Sequence, residues 1–277
     1  MKKAVWILSF VVLAVYASQA QILLSGGLSY SQNFDTLANT GSTVTWADNS
    51  TLTGWYASRA YTAGTTSAFG PTVYPSYRVS DGSTTSGWLY SYGAASAVDR
   101  ALGSLSSGTP KTNAFGVLIQ NDTASTVNNV LVTYTGEQWR NGGNTAAQTL
   151  AFSYSTTSSS FLLNGALDTA PAGSDNWVAF TALDFISPTT GSTAAALDGN
   201  NPANQVQFNN VLLTGVSLNP GDSLFLRWVD IDDPGNDHGF GVDNFSVSFS
   251  TVPEPSVLAL GGCLTLLGLA WRNSRRK

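Results

Sequence analysis

Residues 240–249, FGVDNFSVSF, decide the fold class. In an extended chain Phe245, Val247 and Phe249 point to one side and Ser246 and Ser248 to the other. That period-two alternation marks a strand with one face on a core and one toward water. Short β-branched and aromatic runs of the same kind recur upstream. Residues 115–120 (FGVLIQ) read as a buried strand, Asn121-Asp122 as a turn, and 127–134 as a second, alternating strand. Residues 149–154, 177–185, 206–213 and 223–230 complete the set. No long run shows a 3.6-residue apolar period, and no repeat of fixed length is visible. The expected fold is all-β, a single jelly-roll-like antiparallel β-sandwich over residues 21–251. The Gly-, Ser- and Tyr-rich stretch 41–96, with Trp46, Trp55 and Trp88, suits long loops over a sheet end. The Thr/Ser run 156–160 suits a hairpin tip.

Both ends depart from this pattern. Lys2 and Lys3 precede an apolar stretch over residues 4–16, and Ser18-Gln19-Ala20 then offers small residues at the −3 and −1 positions of a cleavage site. This is the layout of a secretory signal peptide over 1–20, cut after Ala20 by a signal peptidase. At the other end, Pro253-Glu254-Pro255 leads into an apolar run over 257–271, closed by Arg272, Arg275, Arg276 and Lys277. A helix over 257–271 is about 22 Å long, short for a hydrocarbon core of about 30 Å, and inserts if the basic cluster snorkels to the headgroups. The positive-inside rule leaves everything before it outside the cytoplasm.

The segment 252–277 resembles the PEP-CTERM sorting tail of Gram-negative bacteria. The resemblance implies recognition of Pro253, Glu254 and Pro255 by an exosortase-type transpeptidase. The precursor is then held transiently in the inner membrane before release to the cell surface or extracellular matrix.

Between those ends lie six basic and sixteen acidic residues, a formal charge of −10. Such a balance argues against nucleic acid, whose binding rests on Lys and Arg neutralising phosphates. Cys263, the only cysteine, sits in the apolar tail, so the exported part has no disulfide and no thiolate nucleophile. A lone histidine, His238, excludes multi-histidine zinc sites. Charged residues make up only 10% of the chain, against roughly 25% in ordinary domains.

Two constellations carry candidate chemistry. The first gathers Asp230, Asp232, Asp233, Asp237 and Asp243 around the turn Pro234-Gly235, with Asn236 and Asn244 among them. Hard cations take six to eight oxygens, so one reading is a Ca²⁺ loop. The other is a set of strand-joining turns in which Asp and Asn cap their own backbone. The second is Gly136-Glu137-Gln138-Trp139-Arg140, where alternation puts Glu137 and Trp139 on one face and Gln138 and Arg140 on the other. Arg227-Trp228 repeats the Arg/Trp juxtaposition. Here the alternatives are a sugar-binding surface of Glu137, Trp139 and Arg140, or a buried Glu/Arg pair with core tryptophans.

Phe34-Asp35-Thr36-Leu37, the Gly136–Arg140 segment, Leu197-Asp198-Gly199-Asn200 and the stretch 227–244 together look like a β-sandwich module of bacterial secreted proteins. That resemblance assigns no catalytic residue. No Gly-x-Ser-x-Gly elbow, Walker loop or His-Glu-x-x-His motif occurs. The expectation is an exported, non-enzymatic surface or matrix protein with a polysaccharide ligand. The alternative is a secreted polysaccharide hydrolase using Glu137 and an aspartate.

Overall fold

Eleven strands of four or more residues form wherever β-branched and aromatic residues run between Gly, Asn, Asp and Ser turns. They are β1 (Ser29–Gln32), β2 (Trp55–Ala60), β3 (Ser76–Ser80), β4 (Trp88–Tyr92), β5 (Ala101–Leu105) and β6 (Thr112–Gln120), then β7 (Val127–Asn141), β8 (Thr149–Ser155), β9 (Gln205–Leu213), β10 (Ser223–Ile231) and β11 (Gly239–Thr251). The computed structural model describes residues 21–60 and 71–251. The expected signal segment and the tail with Pro253, Glu254 and Pro255 lie outside the described residues.

One sheet runs β8-β10-β6-β2; the other runs β9-β7-β11-β5-β4-β3. Every pairing among these strands is antiparallel except β3 with β4. The long strands cross repeatedly between the sheets: β6 to β7, β7 to β8, β9 to β10 and β10 to β11 each change layer. This is the all-β sandwich that the alternation predicts. Strand β11 has a divided edge, pairing with β5 over 239–242 and with β1 over 245–248. Asp243 and Asn244 fall in the notch between.

The core lies between the sheets and is aromatic at its centre. Trp228 is fully buried, stacked on Trp55 at 6.1 Å and Phe115 at 6.0 Å, with Tyr134, Phe152 and Phe245 edge-on at 5.2, 5.3 and 5.6 Å. Such ring pairs add about 0.5–1.5 kcal/mol each beyond the area they bury. Both sheets are also covered outside. On the first, Phe161, Leu167 and Trp177 of a long connection pack on Tyr56, Leu118 and Phe225. On the second, Tyr90, Tyr92 and Trp139 form a smaller cluster.

That covering explains where the sequence-based expectations fail. The described residues within 41–96 are not all loops over a sheet end: they supply β2, β3 and β4, and Trp55 stands in the core. A strand covered on both faces loses its alternation. Residues 177–185 are not one strand but Val178–Ala179, a 3-10 turn at Thr181–Leu183, and Phe185–Ile186. Strand β7 continues past 134 to Asn141 by absorbing bulges near 132–135 and 138–140. The run 156–160 opens the covering connection on the first sheet and contains a 3-10 turn at Ser158–Ser160.

Candidate functional site

At one end of the sandwich the turns after β5, β7 and β10 enclose a cleft of about 360 Å³. Thr85, Ser106, Ser107, Arg140, Asp232, Asn236 and Asp237 give it a polar wall. Each turn is held by its own side chains. Asp237 accepts from the Asp233 amide at 2.8 Å, closing the turn through Pro234-Gly235. Asn144 Nδ2 donates to the carbonyls of Pro234 and Asn236, tying that turn to the one after β7. His238 is fully buried behind it, accepting at Nδ1 from the Gly142 amide at 3.0 Å. Burial lowers its pKa and holds the imidazole neutral. On the far side Gly82, at φ +90°, lets the turn after β3 touch the Trp139 carbonyl, which any Cβ would strike at 1.8 Å. Its own carbonyl receives Arg140 Nη1 at 3.1 Å.

Asp237 lies against Asp232, and burial followed by the charges of Asp232 and Asp233 raises it to about 7. Lys111 faces Asp232 at 3.8 Å. Asp230 does not reach the cleft. It is buried under β5, accepting from Ser104 Oγ at 2.8 Å, and desolvation raises it to about 7.

The structure therefore re-sorts the two sequence constellations. Asp232 and Asp237 of the first join Arg140 of the second at the cleft. Asp243 leaves the first and joins Glu137 and Trp139 on the outer face of the second sheet. Asp233 contributes its backbone amide. Among the described residues no three His, Cys, Asp or Glu side chains are placed to hold a metal ion. The five-aspartate calcium loop built on Asp230, Asp232, Asp233, Asp237 and Asp243 does not assemble, because strand alternation and the notch in β11 send its members to different faces.

Glu137 and Trp139 do share a face, as alternation requires, with Trp139 Nε1 donating to Glu137 Oε2 at 2.8 Å. Trp139 is only 2% exposed, stacks on Tyr92 at 6.0 Å and packs against Gly199. No ring face is left for a sugar, so the Glu137, Trp139 and Arg140 surface is corrected to buried packing. Nor do Glu137 and Arg140 form an ion pair: Lys111–Asp232 is the only one among the described residues. Arg227 and Trp228 are likewise buried, on opposite faces of β10.

Thr85, Ser106, Ser107 and Lys111 escaped sequence reading. The one signal was the turn composition Ser106-Ser107-Gly108-Thr109-Pro110, which marks a loop but not what it faces.

No family model and no curated protein matches the chain. Among solved structures it is similar to the CBM22-1 xylan-binding domain from Paenibacillus barcinonensis Xyn10C, at 13% identity over 71% of this chain and 94% of that one. The TM-score is 0.27, a likeness too distant to assign fold or ligand.

Proposed function

We propose that this is an exported, non-enzymatic surface or matrix protein that binds polysaccharide through the acidic end cleft. The observation that carries the reading is the cleft wall itself. Arg140 donates, Asp232 and Asp237 accept, and Ser106, Ser107, Thr85 and Asn236 do both. That mixture suits sugar hydroxyls. The exposed large apolar side chains among the described residues include no aromatic, so binding is led by hydrogen bonds rather than ring stacking. The hydrolase reading is weaker. Glu137 is 2% exposed and lines no part of this cleft. Asp232 and Asp237 are in hydrogen-bonding contact, whereas glycosidase carboxylates stand about 5–9.5 Å apart.

A glycan array probed with the protein should show retention on neutral polysaccharides. Asp232→Asn with Asp237→Asn should weaken the best hit by about tenfold, the worth of one good charged hydrogen bond. An array without a hit, or equal binding by the variant, would remove the cleft from consideration.

The ends support delivery by signal peptidase and an exosortase-type enzyme. Replacing Pro253-Glu254-Pro255 by alanines should leave the chain in the membrane fraction, because the apolar run survives while the recognition element is lost. Unchanged release with an unchanged C-terminus would refute the sorting assignment.

A further inference from the structure

One flank of the sandwich is left open. Strand β9 pairs with β7 along one edge, and no strand meets its other edge among the described residues. Beside it the first sheet is closed only by two short strands on β8, Val178–Ala179 and Phe185–Ile186. The two layers are tied at both ends of β9. Val206 stands opposite Gly136, where a Cβ would strike the Phe185 ring at 2.5 Å. Toward the other end Tyr154, the ladder partner of Val178, donates through its hydroxyl to the Thr214 carbonyl at 3.2 Å. Ile186 therefore lies by the start of β9 and Val178 by its finish.

This flank gathers apolar surface and lacks charge. Of the seven large apolar side chains exposed among the described residues, Val178, Ile186, Val206 and Leu212 lie here, each between 38% and 55% exposed. No Asp, Glu, Lys or Arg occurs from 199 to 221, and between 176 and 197 there is only Asp184. Asp184 accepts from the Phe152 amide at 2.7 Å and so faces β8. An open sheet edge presents unpaired N–H and C=O groups, and monomeric proteins blunt it with lysine, proline or a bulge. Strand β9 has neither lysine nor proline. Its one bulge sets Asn209 and Asn210 against Thr133, whose Oγ1 accepts the Asn210 amide at 2.8 Å. Gln205–Phe208 keep a regular register before it.

We propose that the open edge of β9 is a homodimer interface, closed by the same edge of a second copy around a twofold axis. The occupant is an extended strand, since what stands unfilled is a row of backbone donors and acceptors. It is a second copy because the edge is its own complement: antiparallel strands related by a twofold exchange the same hydrogen bonds. Charge points the same way. With −10 spread between the ends, two copies repel in most orientations, and this flank lets them meet without apposing carboxylates. Pairing runs through Gln205–Phe208, where the bulge ends it, and Val178, Ile186, Val206 and Leu212 shed water beside it. None of these residues lines the end cleft, so the dimer presents two clefts.

Sedimentation velocity of the purified full chain in mild detergent should show a dimer that dissociates on dilution. Val206→Lys with Leu212→Lys sets like charges across the twofold and should weaken dimerisation by roughly tenfold or more, with the circular dichroism spectrum unchanged. A wild type that is monomeric at every concentration, an assembly that grows past two copies, or a lysine variant that dimerises like the wild type overturns the proposal. Should the lysine variant not fold, disulfide trapping in a chain carrying Cys263→Ser decides. Gln207→Cys should link two copies under mild oxidation, because residues near a twofold face their own counterparts. Val98→Cys, as exposed but on the turn between β4 and β5, should not link. No link through Gln207→Cys, or equal linking at both positions, overturns the interface.

Discussion

Replacing Arg227 by alanine should lower the unfolding midpoint by roughly 10 °C, a loss of about 4 kcal/mol. Arg227 is fully buried on the outer face of the first sheet. Its Nε donates to Ser153 Oγ at 3.0 Å, and its two terminal nitrogens donate to the carbonyls of Asp168 and Ala170. The guanidinium lies 3.6 Å from the centre of the Trp177 ring. It is therefore the clamp that holds the covering connection, through residues 168–177, onto β10. Hydrogen bonds from a charged group contribute about 1.5–3 kcal/mol, and the truncation also leaves two carbonyls unpaired and a void under Trp177. Arg227→Met keeps the stem without the donors and should fall between. Lysine should not rescue, since one ammonium cannot reach partners set for a planar fork. Circular dichroism melting gives the size of the loss, and limited proteolysis should show new cleavage within 156–177. An alanine variant melting within about 2 °C of wild type would contradict this assignment.

Stability should also fall as pH rises from 5 to 8. Burial pushes Glu137 up to about 8 and Asp230, Asp237 and Asp243 each to about 7, with neighbouring carboxylates adding to the effect. For acids whose folded pKa exceeds the unfolded one, the native state holds more protons. Their stabilising contribution is complete below about pH 4 and is lost as pH climbs through 7 to 8. A decrease on the order of 3 kcal/mol, roughly 10 °C, is expected between pH 5 and pH 8 in chelator. Below pH 4 the trend reverses, because Asp81 and Asp122 are held low by hydrogen bonds from Ser83 and Ser25 and lose them on protonation. Asp230→Asn keeps an acceptor for Ser104 and should flatten the neutral limb. A midpoint that rises between pH 5 and pH 8 would show these carboxylates to be ionised and well solvated in the native state.

The alternation in residues 240–249 determines by itself that β11 has one face on a core, because side-chain direction in a strand is local geometry. The same reasoning places Glu137 and Trp139 together and predicts the edges of β6, β9 and β10 to within a few residues. The lack of thiol and multi-histidine chemistry between the ends is a matter of composition alone. What alternation cannot say is which faces are covered a second time. Trp55, Trp139 and Arg227 each sit on strands packed on both sides, where polarity stops reporting exposure, so the tertiary structure alone turns an apparent sugar platform into packing. Nor can local pattern say which turns meet. Asp232 and Asp243 are eleven residues apart yet end on different surfaces, because β11 begins between them and its divided edge opens the notch. Arg140 lines the same cleft as Asp232 and Asp237, and Asp243 falls on the same face as Glu137 across the ladder, through sheet pairings set by the whole core.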